Sequence, residues 1–390
     1  MNQSCPKILL LPAWYPASFF KDQMELLSDQ FEFRVLLGNR VQTGKKKVLK
    51  NFLNGQRLKF KTTEKDGFVE LNYSYVNHLT EKLEKHQIEK LSGKIGDIIV
   101  QLFNGNKPDL IHIQSISDTA VFVCNWAKRN DIPVILTEHI IYVRRKFDYF
   151  QKEIERVYSQ VDKVLCVSNY VYRNLLTHSF TMKSVEVVGN MINDDFVSKD
   201  LNAITKNNKI IFVAAHFHDK DVDLLLDLMT TVKSKHKNLL VDVFGLDEDL
   251  QYSPNETLKN ELKRRGLSNS IRIKGKIIHS ELLKIYSQYS LLLSTSFSET
   301  FGLSIAESIA YGTPVICTDS GGLHDFVNEK NGIIVPIRNL DRLIEAINLI
   351  LSGNQSFDYK KISLEICERY GKKSFKHIMG TLYRNLIDKK

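Results

Sequence analysis

The sequence contains few cysteines, and no two of them form a Cys-x-x-Cys pair. A disulfide-stapled secreted domain has more of them, and a structural zinc site needs ligands paired at short spacing. The pattern therefore argues against both, and it predicts a protein of a reducing compartment, the cytoplasm. The cysteines in the 390 residues are Cys5, Cys124, Cys166, Cys317 and Cys367.

The sequence also lacks long apolar runs. A helix that crosses a bilayer needs ~18–20 consecutive apolar residues, and no segment approaches that length. The run Ile-Leu-Leu-Leu at residues 8–11 is too short for the hydrophobic region of a signal peptide. It predicts a buried first strand instead.

Negative charge is in short supply, because 45 acidic residues face 54 lysines and arginines, giving a net charge of +9. Much of the excess lies in residues 45–65, where eight basic residues accompany the single acid Glu64 and apolar residues interleave with them. Such a segment fits an anionic membrane surface, and it equally fits a solvated lysine-rich loop. A nucleic-acid partner is disfavoured, because no base-reading module accompanies the charge.

The order of apolar runs predicts the fold class. The chain is too long for one ordinary core, and strand-like runs alternate with helical periodicity, which indicates α/β domains with parallel sheets. The predicted strands are 8–11, 34–37, 110–114, 134–137, 164–167, 185–188, 210–214, 239–244, 271–274, 291–294, 315–318 and 333–335. In the first half, helices are predicted at 23–30, 81–102, 118–130, 147–160 and 170–177.

Two doubly wound, Rossmann-like domains follow from this order. We predict an N-terminal domain at 1–198, a polar linker at 199–208 and a second domain at 209–371. The segment 372–390 is predicted to be a C-terminal helix that packs back on the first domain. Two such sheets place ligands at facing strand ends, in a cleft between the domains.

Two carboxylates carry the strongest functional signal. Glu299 follows the apolar run 291–293 in a polar loop, and Glu307, seven residues further on, falls early in a helix that ends near Gly312. Between them, the amides of Thr300 to Leu303 form a helix N-terminus, which favours phosphate. Carboxylates for hydroxyls beside amides for a diphosphate predict a nucleotide-sugar site.

These residues resemble the retaining glycosyltransferases of family 4, which have the GT-B architecture of two Rossmann-like domains. The resemblance covers nearly the whole chain, and the motif Pro-Ala-Trp-Tyr-Pro at 12–16 resembles a Trp-Tyr-Pro subgroup of bacterial surface-polysaccharide assembly. The blocks that carry it are Lys-Pro-Asp-Leu-Ile-His at 107–112, Ile-Pro-Val-Ile-Leu-Thr-Glu-His at 132–139, Asp-Lys-Val-Leu-Cys-Val-Ser at 162–168, Val-Val-Gly-Asn at 187–190, Asp-Lys at 219–220, Val-Asp-Leu-Leu-Leu at 222–226, the stretch 296–307, Gly-Thr-Pro-Val-Ile at 312–316, Gly-Gly at 321–322 and Asn-Gly at 331–332.

The resemblance implies roles on the donor side. Glu307 is expected to accept hydrogen bonds from the ribose diol, and Glu299 to contact hydroxyls of the donor sugar. Lys220 is expected to neutralise the leaving pyrophosphate. Further donor contacts are implied for the backbone amides of Thr300, Phe301, Gly302 and Leu303.

It also implies roles nearer the acceptor. His139 is expected to line the floor of the sugar site, close to the reacting carbon. Gly322 is expected to let a loop approach the substrate closely, and Trp14 and Tyr15 to contact the acceptor or fill the cleft. No Asp-x-Asp pattern is placed to hold a cation, so a metal-independent transfer through an oxocarbenium-like transition state is expected.

The sequence departs from the family pattern in the first loop of the second domain. Ala215 stands where many relatives have an arginine, which removes a bidentate phosphate contact. A hydrogen bond to a charged group contributes ~1.5–3 kcal/mol. Phe-Gly-Leu-Asp at 244–247 keeps one glycine where two are common, which changes the pocket for the base.

Other interpretations stay open. The enzyme alternatives are a GT-B sugar-nucleotide epimerase and a phosphorylase, and the non-enzymatic one is a degenerate relative that binds sugar nucleotides beside a partner. Glu307 also fits an exposed first-turn residue favoured by the helix dipole, and His139 fits a hydrogen-bonded histidine at a strand end. Neither the sugar nor the base of the donor follows from these residues, and the acceptor is a glycan or a lipid-linked glycan.

Overall fold

The computed structural model describes residues 5–12, 18–40, 58–65, 68–75, 85–142, 151–197, 208–214, 218–254 and 256–389. The chain divides into two compact units. Unit 1 consists of Met1–Gly189 together with Lys376–Lys390, and unit 2 is Asn190–Phe375. Residues 199–207 of the predicted linker lie outside the described residues.

Unit 1 is built on an eight-stranded sheet in the order β3-β4-β2-β1-β5-β6-β7-β8. Every neighbouring pair is parallel except β3 and β4, which pair antiparallel. Its elements are β1 (Lys7–Pro12), α1 (Ser18–Leu27), β2 (Glu32–Arg40), β3 (Leu58–Lys65), β4 (Phe68–Tyr75), α2 (Lys85–Leu102), β5 (Leu110–Gln114), α3 (Asp118–Arg129), β6 (Val134–Glu138), α4 (Gln151–Gln160), β7 (Lys163–Cys166), α5 (Asn169–Thr177) and β8 (Val185–Val187).

Unit 2 is built on a six-stranded, wholly parallel sheet in the order β13-β10-β9-β14-β15-β16. Its elements are β9 (Lys209–Val213), α6 (Val222–Val232), β10 (Leu240–Phe244), β11 (Gln251–Ser253), β12 (Glu256–Thr257), α7 (Leu258–Arg264), β13 (Ile271–Gly275), α8 (His279–Ile285), β14 (Leu291–Ser294), α9 (Leu303–Ala310), β15 (Val315–Thr318), β16 (Gly332–Val335), α10 (Leu340–Leu351) and α11 (Tyr359–Tyr370). The last helix, α12 (Lys372–Ile387), begins in unit 2 and continues into unit 1.

The predicted fold class is confirmed. All predicted strands are present with small shifts at their ends, because strands covered on both faces are continuous apolar runs that the sequence displays directly. In β1 the four residues from Ile8 to Leu11 are at most 2% exposed. Among the described residues no helix is both long and apolar enough to cross a bilayer.

Two predictions about local structure were wrong. The first helix was predicted at 23–30 but is Ser18–Leu27, because its buried positions Phe20, Gln23 and Leu27 follow helical spacing from an earlier start. For residues 58–65 the interpretation as a solvated lysine-rich loop was wrong, because they form β3 at the edge of the sheet, whereas the membrane-surface interpretation stays a prediction. Residues 45–57 of that segment lie outside the described residues.

Candidate functional site

The site in unit 2 forms where the strand order of the sheet reverses. Counted along the chain, the order of the six strands is 3-2-1-4-5-6, and β9 and β14 are the neighbours at the reversal. Loops that leave two such strands diverge and open a crevice at their carboxyl ends. The loop after β9 leads to Lys220, and the loop after β14 leads to Glu299.

Hydrogen bonds to the backbone hold these two loops together. The Thr295 hydroxyl shares its proton between the carbonyl oxygens of Lys220, at 2.6 Å, and Asp221, at 3.0 Å. The Phe297 N–H donates to the Asp219 carbonyl at 3.0 Å. Thr295 is fully buried, so the position of Lys220 is set from the core of the unit.

Lys220 and Glu299 form an ion pair, with Nζ 2.5 Å from Oε1. The side chains are only 15% and 16% exposed, so solvent screens the pair less than it screens a surface pair. The Ser296 hydroxyl donates to the same carboxylate oxygen at 2.8 Å. The structure thus brings together two of the predicted site residues that are 79 positions apart in sequence.

A third loop, which follows β15, fixes the backbone of Glu299. The Glu299 N–H donates to the Ser320 carbonyl at 2.7 Å, and the Glu299 carbonyl accepts from the Gly322 N–H at 2.8 Å. A Cβ on Gly322 would lie 2.1 Å from the carbonyl oxygen of Thr300. The close approach that requires glycine here is therefore to the neighbouring backbone, and a contact of Gly322 with substrate stays a prediction.

The N-terminus of α9 presents backbone donors at this site. Gly302, its N-cap, has a φ of +91°, and no side chain caps the helix. The first turn closes through the Ile305 N–H on the Gly302 carbonyl, whereas the N–H groups of Gly302, Leu303 and Ser304 bond to no other described residue. Unpaired amides at a helix N-terminus suit an anion.

Phe301 anchors this turn through its side chain. The residue is 1% exposed, and its ring lies 5.1 Å from the Phe326 ring and 5.2 Å from the Tyr370 ring, measured between centroids. The exposure value covers the backbone as well as the ring, so the amide contact predicted for Phe301 stays a prediction.

Glu307 lies in the second turn of α9 and is 2% exposed, so the alternative of an exposed helix residue was wrong. His279 Nε2 lies 2.6 Å from its Oε1, and the Tyr286 hydroxyl donates to its Oε2 at 3.3 Å. Burial, followed by the nearby carboxylate, raises the pKa of Tyr286 well above its ordinary value, which keeps it a neutral donor. The side chain of His279 is 34% exposed.

Neither partner of Glu307 was predicted. His279 and Tyr286 precede it by 28 and 21 residues, a separation for which no local spacing rule exists. The only signal in the sequence was a histidine at the start of a short helix.

His139 belongs to unit 1, where it follows β6 and is 7% exposed. Its Nε2 lies 2.5 Å from Gln114 Oε1, and its backbone N–H donates to the Ser115 hydroxyl at 3.1 Å. This matches the histidine of a strand end that was the alternative interpretation, and it leaves the role at the sugar site a prediction. Trp14, Tyr15 and Ala215 lie outside the described residues.

Comparison with known proteins agrees with the geometry. The family model described as "Glycosyl transferases group 1" matches residues 193–376, and the one described as "Glycosyltransferase Family 4" matches residues 72–196. Together the two models span residues 72–376, and they support a family 4 glycosyltransferase, as the sequence resemblance implied.

Individual relatives of this chain are distant. It is 27% identical over 161 residues to the GtfA subunit of the UDP-N-acetylglucosamine–peptide N-acetylglucosaminyltransferase of Streptococcus gordonii, which is 39% of this chain and 30% of that protein. It is 27% identical over 289 residues to an uncharacterized glycosyltransferase of Methanocaldococcus jannaschii, covering 70% of this chain and 76% of the relative. The chain thus spans under a third of GtfA.

The fold matches solved GT-B structures. HepE of Anabaena, solved in complex with UDP, superposes with a TM-score of 0.72 at 14% identity, over 97% of this chain and 100% of HepE. A further HepE structure holds UDP-glucose. At this identity the comparison establishes the fold, and the predicted GT-B class is confirmed.

Proposed function

We propose that this protein is a retaining glycosyltransferase that moves a sugar from a nucleoside diphosphate to the hydroxyl of a glycan or a lipid-linked glycan. The observation that carries the proposal is the arrangement at the strand reversal of unit 2. Lys220 pairs with Glu299, and the amides at the start of α9, unpaired among the described residues, follow three positions further along the chain. Together they supply positive charge and N–H donors for phosphates and a carboxylate for hydroxyls.

In this proposal the diphosphate lies on the amides of Gly302, Leu303 and Ser304, with Lys220 beside it. Glu307 accepts hydrogen bonds from the ribose diol, and Glu299 from hydroxyls of the sugar. The donor base is proposed to be uracil, because the structure of HepE holds UDP and the name of the GtfA relative includes UDP-N-acetylglucosamine.

The transfer step is proposed to retain configuration. The bond between the anomeric carbon and the phosphate oxygen breaks, and the acceptor oxygen bonds to that carbon on the same face. The acceptor proton passes to the departing phosphate oxygen. His139 is proposed to line the sugar site near the anomeric carbon.

Stabilisation of the leaving group is proposed to need no metal ion. Lys220 and the amides of α9 supply charge where negative charge grows on the diphosphate, which is the role of a divalent cation in other transferases. Transfer measured in excess EDTA should stay within about twofold of the rate without it. A loss of activity that Mg²⁺ or Mn²⁺ restores would contradict this part.

Membrane attachment through residues 45–65 is a second part of the proposal, consistent with a lipid-linked acceptor and surface-polysaccharide synthesis. Within the described part of this segment, Lys61 lies exposed on the edge strand β3. Lysines on an edge strand also prevent pairing with other chains, so charge there has a second explanation. Sedimentation with phosphatidylserine vesicles at low and high salt decides: binding that is independent of salt, or absent, contradicts attachment.

The main test separates transfer from binding alone. Titration calorimetry with UDP-sugars identifies the donor, and incubation of that donor with lipid-linked acceptors should give UDP and a product with the anomeric configuration of the donor, read by NMR. Conversion of the donor to an isomer without acceptor would indicate an epimerase. Donor binding without any turnover would indicate a binding protein. If the protein has no affinity for any nucleotide sugar, the proposal is wrong.

A further inference from the structure

A network of buried polar side chains crosses the core of unit 1 and ends at His139. All its members are less than 10% exposed, and the proposed reaction uses only His139. The members are Gln23, His112, Gln114, Thr137, His139 and Tyr383. Tyr383 comes from α12, so the last helix of the chain supplies one end of this network.

The contacts form a continuous path. The Tyr383 hydroxyl lies 2.6 Å from His112 Nδ1, and the opposite nitrogen of that ring lies 2.7 Å from the Thr137 hydroxyl. The Gln114 amide nitrogen lies 3.3 Å from His112 Nε2 and 3.5 Å from Nδ1, so it packs against the ring. Its oxygen meets His139 Nε2 at 2.5 Å.

The orientation of the Gln114 amide gives the direction of the last bond. Its nitrogen lies 3.4 Å from Gln23 Oε1 and its oxygen lies 2.5 Å from His139 Nε2, so in this arrangement the oxygen accepts from His139. Nε2 of His139 therefore carries a proton, and in the neutral ring Nδ1 carries the lone pair. The orientation of the Gln114 amide thus sets which nitrogen of His139 can accept a proton.

His112 stays neutral in this network. Burial, and secondarily the nearby His139, lowers its pKa to about 3. A neutral imidazole has one donor and one acceptor, and both need partners when buried. The hydroxyls of Tyr383 and Thr137 are able to donate or accept, so together they complete the ring in either tautomer. Without the Tyr383 hydroxyl, Nδ1 would keep only the longer contact with the Gln114 amide nitrogen, at 3.5 Å.

We propose that Tyr383 is a positioning residue for His139: its hydroxyl fixes the His112 ring, which holds the Gln114 amide that orients His139. This inference rests on the proposed role of His139 at the sugar site. The Tyr383 ring has a separate function in packing, since its centroid lies 5.2 Å from that of Phe31 in an edge-on arrangement. Tyr383→Phe therefore removes the hydroxyl and keeps the packing.

The test is a double-mutant cycle on transfer kinetics. Tyr383→Phe should lower kcat about 10- to 100-fold while the donor KM changes less than about twofold. In a His139→Ala background the same substitution should have no further effect, because its influence passes through His139. Tyr289→Phe, which removes another buried phenol hydroxyl that donates to Asp242 at 2.8 Å in unit 2, is the control and should be additive with His139→Ala.

A readout without turnover separates this inference from the proposed function. In ¹H–¹⁵N spectra of the imidazole rings, Tyr383→Phe should shift the nitrogens of both His112 and His139, and Tyr289→Phe should shift neither. Unchanged His139 nitrogens, or additive effects on kcat, would overturn the inference. Full activity of His139→Ala would instead reject the proposed role of His139, while the nitrogen shifts still decide whether Tyr383 orients it.

Discussion

Glu307→Gln isolates the ribose contact, because glutamine has nearly the shape of glutamate without its charge. The carboxylate is 2% exposed and has donors on both oxygens, His279 Nε2 at 2.6 Å and the Tyr286 hydroxyl at 3.3 Å. Glutamine keeps one acceptor, which Tyr286 can use, and gains an amide that can donate to the other tautomer of His279. The fold should therefore tolerate the change.

The expected loss of donor affinity follows from the hydrogen bonds that the ribose diol would no longer make to a carboxylate. His279, whose side chain is 34% exposed, bonds one oxygen of Glu307, so a ribose hydroxyl would replace that bond and the net gain would be about one charged hydrogen bond. Such a bond contributes ~1.5–3 kcal/mol. Because ~1.4 kcal/mol is a factor of ten in Kd, the variant should bind the donor ~10- to 100-fold more weakly. Its Tm should change by less than ~4 °C, about 1 kcal/mol for units of this size.

Titration calorimetry with UDP and UMP assigns the loss to the ribose. The two ligands share the ribose and differ in one phosphate, so Glu307→Gln should weaken both by the same factor. Lys220→Met, which keeps the length of the side chain, should weaken UDP more than UMP. If Glu307→Gln binds UDP within about twofold of the wild type and has the wild-type Tm, the ribose assignment is wrong.

Two further predictions concern stability. Gly322→Ala should lower the free energy of unfolding by ~1–3 kcal/mol, because the new Cβ would lie 2.1 Å from the Thr300 carbonyl oxygen. Gly93→Ala is the control: no atom lies within 4 Å of its Cβ, so it should be neutral or stabilising. Equal denaturant midpoints for the two variants would contradict the prediction. Burial raises the pKa of Glu138 to about 8, so the folded state keeps a proton that the unfolded chain releases near the ordinary carboxyl pKa, and stability should fall as pH rises through that window. Glu138→Gln, which still accepts from Tyr158, should lose that fall, and parallel Tm curves for the two proteins between about pH 5 and 9 would refute it.

The strands were predictable because strands that are buried on both faces consist of continuous apolar runs, which are visible in the sequence. The hairpin of β3 and β4 was not, since its first strand, Leu58–Lys65, contains three lysines and one glutamate and lies at the sheet edge, where polar residues are tolerated. The start of α1 was missed for a different reason. Ser18, a residue type that often starts a helix, precedes the buried Phe20, but one such residue also fits a turn.

The two carboxylates of the candidate site could be predicted from the sequence, whereas the residues that contact them could not. Glu299 and Glu307 belong to one short motif, so their spacing in the sequence identified them. The contacts of Glu307 with His279 and Tyr286 depend on how α8 packs beside α9, which is a tertiary property. The contact between Lys220 and Glu299 follows from strand order, because the 3-2-1-4-5-6 arrangement makes the first and fourth strands of the unit neighbours.

The ion pair between Lys220 and Glu299 has a consequence for how a diphosphate binds. An ammonium has three N–H donors, and Glu299 uses one of them at 2.5 Å. The Ser296 hydroxyl also donates to Oε1 of Glu299, and this contact uses no N–H group of Lys220. Phosphate oxygens can therefore take the remaining donors while the pair stays intact. In the proposed function, the pair would orient Lys220 for the diphosphate and leave Oε2 of Glu299 for a sugar hydroxyl.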